Sequence, residues 1–534
     1  MAEVQRPVRP VRLNRSLGLF QLTASGVGLI VGAGIYVLLA GMADVAGSAV
    51  WISFALAGVL SGLTALSYCE LAALFPRASA EHEYVRRVAP PSVAFVTGWM
   101  MLAGLAIAAG AVALGFAAYL RVFLDVPVRL GAWALLAVVV GVALSGIERS
   151  VRVTVAFSAI QLGGLLVVVL LGASSVGERS LLAGASTGGI VAGAALAFFA
   201  FVGFDEVITL SEEVRDPTRT VPRALLLALA ISTVVYVAVA VVAVSVLGAD
   251  RLSASPQPLA EVVSVAAGGG WRVAVSVVAL MATANTTLLV VTAASRILYG
   301  MAVTGAMPRG LTVLSRRQVP ARALLLCAGV AATFVVLGRI DLVASITDMA
   351  VYVVFLAVNA TVVLLRFRQP HRFRPFRVPL AIGRVPVLPI AGLVATCVLL
   401  QGLERWALVL GVALVPVGLL AWWTVERRRT PMPIVEPGAN EMSRSKVTEA
   451  DAAAAASALH VDPAAARWTV EELQAGMEVE LEHGRVDPDT NVTDDDLLRT
   501  AKIALAHLNE IPDYYQRLAV MEEEGRAAWR DGRP

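Results

Sequence analysis

Long apolar runs recur along most of this chain, and they restrict its fold more than any other feature. A helix needs about 20 residues to cross the roughly 30 Å hydrocarbon core of a membrane. Of the 534 residues, 58% are hydrophobic and only 16% are charged, against about a quarter charged in soluble domains. The twelve runs cover residues 17–42, 48–75, 92–120, 130–147, 152–173, 187–210, 223–248, 272–300, 322–338, 342–365, 386–403 and 406–424. The sequence therefore predicts an all-α polytopic membrane protein with twelve transmembrane helices.

Arginine placement predicts how these helices are oriented, because basic residues are retained on the cytoplasmic side of a membrane. With the N-terminus inside, most arginines fall on the cytoplasmic side, beginning with Arg6, Arg9, Arg12 and Arg15. The opposite side holds Arg121, Arg129, Arg179, Arg251, Arg272, Arg339 and Arg405. We therefore expect a multi-pass protein of the inner, or plasma, membrane with both termini in the cytoplasm. The arginine-rich N-terminus leads straight into a full span, so we expect no cleavable signal peptide.

Residue usage argues against several functional classes. No histidine lies in any of the apolar runs, and we find no nucleophile motif, phosphate-binding loop or ATP-binding signature. A channel would need a continuous polar ring along a pore, and the runs contain few charges. The cysteines Cys69, Cys327 and Cys397 lie in or beside apolar runs, so we expect no disulfide framework. A carrier is favoured over an enzyme, with no cofactor and no nucleic-acid partner.

A change of composition divides the chain after the last apolar run. Residues 440–534 contain 20 acidic and 10 basic residues, and the only lysines of the chain, Lys446 and Lys502, lie there. We predict a transporter domain over residues 1–429, a linker over 430–467 and a helical cytoplasmic domain over 468–534. The tail composition is typical of a water-soluble module.

Two of the apolar runs contain features that interrupt a helix. The first run has Gly32 and Gly34 at mid-depth, and the sixth has Gly203 beside Asp205 and Glu206. Interruptions in spans 1 and 6 fit a five-plus-five inverted repeat, in which half-helix ends meet around a substrate. Close helix packing through a small-xxx-small pattern remains open for the glycines, and a helix-end position at the water interface remains open for the two acids.

An amino acid would suit such a pair of half-helices. Free N–H groups at the start of the outer half of span 1 would receive a carboxylate, because a helix N-terminus favours anions. Carbonyl groups freed in span 6 would receive an ammonium group.

Several motifs resemble the amino acid, polyamine and organocation permease superfamily, in particular its branch similar to cationic amino acid transporters. The matching segments are VGLIVGAGIYVL in span 1, SYCELAALFPRAS from Ser67, SGIERSVRV from Ser145, FFAFVGFDEVITLSEEVRDPTRTVPRAL from Phe198, ASRILYGMAVTGAMP from Ala294, and RPFRVPL and VPVLPIAG from Arg374 onward. The long span-6 segment is the most specific of them. The resemblance implies a leucine-transporter-like fold that works by alternating access around a central site.

The resemblance also implies which residues bind substrate. Ile30, Gly32, Ala33 and Gly34 would form the carboxylate site. Phe199, Ala200 and Val202 would offer carbonyl groups to the α-amino group, with Phe199 or Phe201 as an occluding ring, and Asp205 would act near the substrate or in proton coupling.

Coupling residues depart from the pattern of some relatives, which have a lysine in span 5. The aligned residue here is Gln161, which cannot titrate. Thr286 and Thr287 in span 8 could contribute to a sodium site, although threonines inside a helix usually bond their own backbone. We favour facilitated diffusion or exchange, with any proton dependence arising from Asp205. The sequence thus predicts secondary active or facilitative transport of amino acids, cationic ones included. The alternative is a transporter-like amino acid sensor that signals through the C-terminal domain.

The tail is expected to contain at least two amphipathic helices. One begins with a capping-box pattern at Thr469 and Glu472. The words ELEHG, KIALAHL and PDYY resemble a small bacterial and phage family of unknown function. Glu480, His483, His507 and Glu510 are spaced as two possible metal-ligand pairs, but we favour a regulatory or partner-binding helical module over a metal site.

Overall fold

The computed structural model of the chain is almost entirely helical and divides into two compact units, residues 1–429 and 430–534. Residues are described over 18–75, 81–145, 151–209, 214, 216–315, 317, 319–370, 372–428, 447–459, 461, 466, 468–486, 497–511 and 513–521. The N-terminal arginines Arg6, Arg9, Arg12 and Arg15 lie outside these ranges.

The first unit contains seventeen α-helices and one short β-hairpin among the described residues. The helices are α1 (Leu19–Ile30), α2 (Gly34–Ala46), α3 (Val50–Leu74), α4 (Glu81–Arg86), α5 (Pro91–Leu120), α6 (Val128–Leu144), α7 (Val151–Gly172), α8 (Thr187–Ala197), α9 (Glu206–Thr209), α10 (Pro217–Leu247), α11 (Ala249–Ser253), α12 (Pro258–Ala267), α13 (Gly269–Val303), α14 (Ala321–Val335), α15 (Ile340–Arg368), α16 (Val387–Gln401) and α17 (Arg405–Arg428). Strands β1 (Ala381–Ile382) and β2 (Val385–Pro386) pair antiparallel between α15 and α16.

Helices lie at every predicted span, but they differ in length. Within the described residues, eight helical segments are long and apolar enough to cross a membrane, and α2 with α3 counts as one of them. The shorter apolar helices α1, α6, α12, α14 and α16 have 10–17 residues each. The protein is therefore a multi-pass membrane protein, and its twelve crossings remain a prediction. The short helices α4, α11 and α12 had not been predicted.

Helix α5 is the core of this unit. It packs against α13, α15, α14, α6 and α17, and 24 of its 30 residues are buried. Its many glycines and alanines let neighbouring helices come close, as is usual where membrane helices pack tightly. A Cβ at Gly110, for example, would lie 2.9 Å from the carbonyl oxygen of Ala331 in α14.

A buried ion-pair cluster joins the end of α3 to the end of α15. The carboxylate of Glu70 accepts hydrogen bonds from Arg366, at 2.5 and 3.1 Å, and from Arg374 at 3.2 Å. The backbone N–H of Val378 adds a further bond of 2.7 Å. Glu70 and Arg366 are almost wholly buried, and these bonds offset the cost of removing both charges from water.

The second unit is helical, with α18 (Glu449–Ala458), α19 (Val470–Val486) and α20 (Leu497–Glu510) around its own apolar core. The capping box predicted at Thr469 is confirmed: Glu472 accepts from the Thr469 N–H at 2.8 Å and donates its own N–H to the Thr469 hydroxyl at 3.2 Å.

The predicted linker was too long at its C-terminal end. Residues 449–458, which it included, form α18, whose buried alanines pack in the core of this unit. Alanine has the highest helix propensity, and Thr448 and Asp451 form a capping box that starts the helix.

Candidate functional site

Span 1 is interrupted between α1 and α2. Helix α1 ends at Ile30 and α2 begins at Gly34, and we call residues 31–33 the span-1 break. Within it the Val31 N–H donates to the Val27 carbonyl and the Gly32 N–H donates back to the Ile30 carbonyl, both at 2.7 Å. The first N–H groups of α2 have no acceptor inside their own helix, as at any helix start. The backbone geometry therefore presents donors of the kind that bind an anion.

Span 6 is interrupted as well. Helix α8 ends at Ala197, a 3₁₀ turn covers Phe198–Phe201, and α9 begins at Glu206. We call residues 198–205 the span-6 break. Gly203 has a φ of 108°, a conformation that residues with a Cβ rarely adopt, and a Cβ there would lie 3.3 Å from the Leu29 carbonyl oxygen.

The two breaks lie directly against each other. A Cβ built on Gly34 would be 2.5 Å from the Cα of Ala200, so the backbones pack with no room for a side chain. The buried hydroxyl of Tyr236, from α10, lies 2.8 Å from the Ile30 carbonyl oxygen and 3.0 Å from that of Ala200. Tyr236 thus joins the span-1 break to the span-6 break. Tyr236 was not predicted as a site residue, because a tyrosine in an apolar run is typical of an ordinary core position.

The predicted ammonium-binding carbonyls are partly engaged within the protein. The Phe199 carbonyl accepts from the Val202 N–H at 3.3 Å, and that of Ala200 faces the Tyr236 hydroxyl. Each carbonyl oxygen has two lone pairs, so each can still accept from a ligand. Of the two candidate occluding rings, Phe201 packs on Tyr236 at a centroid distance of 5.3 Å, and both Phe199 and Phe201 are buried.

The span-8 threonines of α13 point in different directions. The Thr286 hydroxyl accepts the Ala33 N–H of the span-1 break at 3.2 Å. The hydroxyls of Thr283 and Thr287 instead donate to carbonyls one turn earlier in α13, at 2.7 and 2.8 Å. Thr286 therefore contacts the span-1 break directly, whereas Thr287 bonds its own helix.

Gln161 of α7 is buried close to the start of α2. Its backbone carbonyl accepts from the Tyr36 hydroxyl at 3.1 Å. Neither atom of its side-chain amide has a hydrogen-bond partner among the residues that the structure describes. The amide can therefore still bond to a group that enters this region.

Asp205 is buried at the end of the span-6 break, and a loop helix reaches toward it. Glu81, the first residue of α4, accepts from the Tyr68 hydroxyl at 2.9 Å, and the Tyr68 ring packs edge-on against Phe204 at 5.7 Å. Burial, and then the negative charge of Asp205, raise the pKa of Glu81 to about 7. Glu81 was not among the predicted site residues.

The metal ligands predicted in the tail are only partly described, since the His483 side chain lies outside the described residues. Glu480 accepts from the Tyr515 hydroxyl at 2.9 Å and lies 3.9 Å from His507, and Glu510 is exposed. Within the described part of the chain, no group of three or more His, Cys, Asp or Glu side chains could hold a metal ion.

The first unit matches a known protein family. Residues 17–418 match the family described as amino acid permease. The chain belongs to the amino acid permease family. Membership of a family of membrane amino acid transporters points to transport rather than catalysis. Residues 452–524 match a second family, described as a protein of unknown function.

Individual relatives cover most of the permease unit. An uncharacterized transporter of Mycobacterium tuberculosis is 32% identical over 421 residues, which are 77% of this chain and 92% of the relative. A branched-chain amino acid permease of Bacillus subtilis is 26% identical over 445 residues, 79% of this chain and 95% of the relative. A vacuolar cationic amino acid transporter of Arabidopsis thaliana is 29% identical over 391 residues, 67% of this chain and 61% of the relative.

Proposed function

We propose that this permease carries amino acids across the plasma, or inner, membrane by alternating access, as a secondary active or facilitative carrier. Twelve spans would form a leucine-transporter-like five-plus-five repeat, with both termini in the cytoplasm. The substrate carboxylate would bind the span-1 break at Ile30, Gly32, Ala33 and Gly34. The ammonium group would bind carbonyls of the span-6 break at Phe199, Ala200 and Val202, with Phe199 or Phe201 closing over it.

The observation that carries this proposal is the contact between the two breaks. Donors at the start of α2 and acceptors in the span-6 break are complementary to the two ends of an amino acid. Because Gly34 packs on Ala200 and Tyr236 bonds both breaks, a movement of one break relative to the other changes the shape of the same small site. Such a shared site can face either side of the membrane in turn.

Coupling to sodium is disfavoured in this proposal. Thr287 donates its hydroxyl to its own helix, as threonines inside a helix usually do, and the Thr286 hydroxyl bonds the span-1 break by accepting the Ala33 N–H. Gln161 would supply a neutral amide where some relatives have a lysine. Any proton dependence would then arise from acids such as Asp205.

The substrate class rests on the family and on the relatives. Their names specify branched-chain amino acids in one case and cationic amino acids in another, so the shared feature is the α-amino acid group. We propose amino acids as substrates, cationic ones included, and a protein partner or regulator for the C-terminal unit.

Counterflow in proteoliposomes tests the function. Vesicles loaded with an unlabelled amino acid, drawn from a panel of neutral and cationic ones, should accumulate the same labelled amino acid from outside. Protein-free vesicles are the control. Binding of an amino acid, seen as thermal stabilisation, without any counterflow would contradict a carrier and favour the sensor alternative.

A further inference from the structure

Asp348 is an acidic residue within α15 that the proposed function does not use. It lies eight residues after the start of the helix and has no exposed surface. Neither carboxylate oxygen has a hydrogen-bond partner among the residues that the structure describes. An ionisable side chain inside a membrane span is costly, and it marks a functional position by default.

The face of α15 that carries Asp348 runs from one end of the helix to the span-6 break. Asp341, Asp348, Tyr352 and Phe355 share this face, since they are spaced by three, four or seven residues. Asp341 packs on Gly41 of α2. A Cβ built on Gly41 would lie 2.1 Å from the Asp341 carboxylate.

Further along the same face, side chains contact α8 and the span-6 break. Tyr352 donates to the Ala195 carbonyl of α8 at 2.9 Å, and its ring lies 5.0 Å from that of Phe198. Phe355 packs on Phe198 at 5.3 Å. Asp348 is one turn, or about 6 Å, from Tyr352 along the helix. It therefore lies next to the break that the proposed function requires to move.

Among the residues that the structure describes, no basic side chain is placed to neutralise Asp348. The helices α5, α8 and α16, which pack on α15, contain no Asp, Glu, His, Lys or Arg. The titratable group beside it is the Tyr352 hydroxyl, one turn away on α15.

Charged residues on the remaining neighbours of α15 lie toward its two ends, apart from Glu81 and Asp205, which lie on either side of Tyr68, whose ring packs on Phe355 near the middle of α15. Asp44 of α2 and Asp341 lie toward its start, and Arg405 begins α17. Glu70 of α3 is bonded to Arg366, about 27 Å along the helix from Asp348. Helix α4 contributes Glu81, which bonds Tyr68, and also carries His82, Glu83, Tyr84 and Arg86.

We propose that Asp348 is a proton-binding site of the carrier, and that the bound proton moves across the membrane with the amino acid. This inference rests on the proposed function. With the α15 face packed as it is here, the carboxyl group holds its proton, because none of the described residues supplies a cation or a hydrogen-bond donor to it. When movement of the span-6 break admits water to this face, the carboxyl group exchanges that proton with the solution. Proton loading on one side and release on the other would couple the proton gradient to amino acid uptake.

The experiment compares the full-length protein with three Asp-to-Asn variants in proteoliposomes containing an internal pH dye. Asp348→Asn removes the proposed site, Asp341→Asn makes the same chemical change two turns away, and Asp205→Asn tests the other candidate acid. Each preparation is assayed for counterflow, which needs no net proton movement, and for internal acidification during net amino acid uptake.

We expect wild type and Asp341→Asn to acidify the vesicles during uptake. Asp348→Asn should retain counterflow within about twofold but lose proton movement at least tenfold. Equal proton movement per amino acid in wild type and Asp348→Asn would overturn the inference, as would active wild-type counterflow with no proton movement. Loss of proton movement only in Asp205→Asn would assign coupling to Asp205 and overturn it too. If the wild type shows no counterflow, the proposed function itself fails and the inference falls with it.

A second measurement covers the case in which Asp348→Asn does not fold. Infrared spectra of wild type and Asp348→Glu at neutral pH should each show a protonated carboxyl band, at positions that differ between the two proteins because the acid differs. Asp348→Glu should also keep acidification during uptake. Spectra that coincide in the protonated-carboxyl region would overturn the inference, because the residue would then be ionised.

Discussion

At the scale of single residues, the hydroxyl of Tyr236 fixes the spacing between the span-1 break and the span-6 break. Its oxygen lies within hydrogen-bond distance of the carbonyl oxygens of Ile30 and Ala200, and both of these residues are buried away from water. The glycines divide between two roles that sequence reasoning had left open. Gly28 serves close helix packing, because a Cβ there would clash with the side chain of Ser158. Gly32 instead lies in the span-1 break, and Gly34 begins the helix that follows it.

Replacing Tyr236 by Phe should separate the effect of its hydroxyl contacts with the two breaks from the effect of its ring packing. The variant keeps the ring contact with Phe201, and the Gly32 N–H still bonds the Ile30 carbonyl, but the Ala200 carbonyl loses the hydroxyl donor. This loss should cost about 1–3 kcal/mol of stability. The uptake rate per folded molecule should also fall, so that the loss of uptake exceeds the loss of folded protein. Tyr119→Phe is the matched control, because it also removes a buried hydroxyl bonded to a backbone carbonyl, that of Tyr36. Equal loss of uptake in both variants would show that Tyr236 has no special role.

Glu81 should make stability depend on pH. Its pKa is raised from 4.5 to about 7 in the folded protein, so between these values the unfolded chain has lost a proton that the folded protein keeps. The contribution of Glu81 is therefore greatest below pH 4.5 and declines as pH rises to 7. The melting temperature of wild type should fall relative to that of Glu81→Gln over this interval. A constant difference between the two proteins from pH 4.5 to 7 would contradict this assignment.

At the scale of elements, the sequence predicted the helices well and their contacts poorly. Apolar length located each of the long helices, and the glycine and acid pattern located the interruptions between Ile30 and Gly34 and before Glu206. The position of α4 beside the span-6 break was not predictable, because it depends on a tertiary bond between Glu81 and Tyr68. Asp348 was missed as well, since one acid in a long apolar run has no periodic partner.

The close approach of the breaks gives a test at this scale. Gly34→Ala places a methyl group 2.5 Å from the Ala200 backbone, so the two breaks must separate, and uptake should be lost. Gly62→Ala is the matched control, because a Cβ on Gly62 would have no neighbouring atom within 4 Å. The variants are compared for uptake at equal amounts in the membrane. Normal uptake by Gly34→Ala would contradict the assigned contact.

At the scale of the whole molecule, the chain combines a permease with a separate acidic unit. Each unit has its own apolar core, and the two match different families. Composition predicted this division, but the alanine-rich α18 was mistaken for linker because a run of small residues shows no apolar stripe.

Truncation after Arg429 should leave a folded, active carrier. Every residue of the two breaks lies in the first unit, and a compact unit with its own core can fold by itself. The uptake rate per molecule should stay within about twofold of the full chain, while abundance or regulation changes. Full loss of uptake at normal membrane levels would show that the C-terminal unit takes part in transport.

Substrate protection of the span-6 break tests the central claim most directly. Val202→Cys, in a background where Cys69, Cys327 and Cys397 are replaced by alanine, places a thiol among the proposed ammonium-binding carbonyls. In a variant that still performs counterflow, a small thiol reagent should label this cysteine, and the transported amino acid should slow labelling in proportion to its occupancy of the site. Labelling that is unaffected by saturating amino acid, while counterflow continues, would contradict the account.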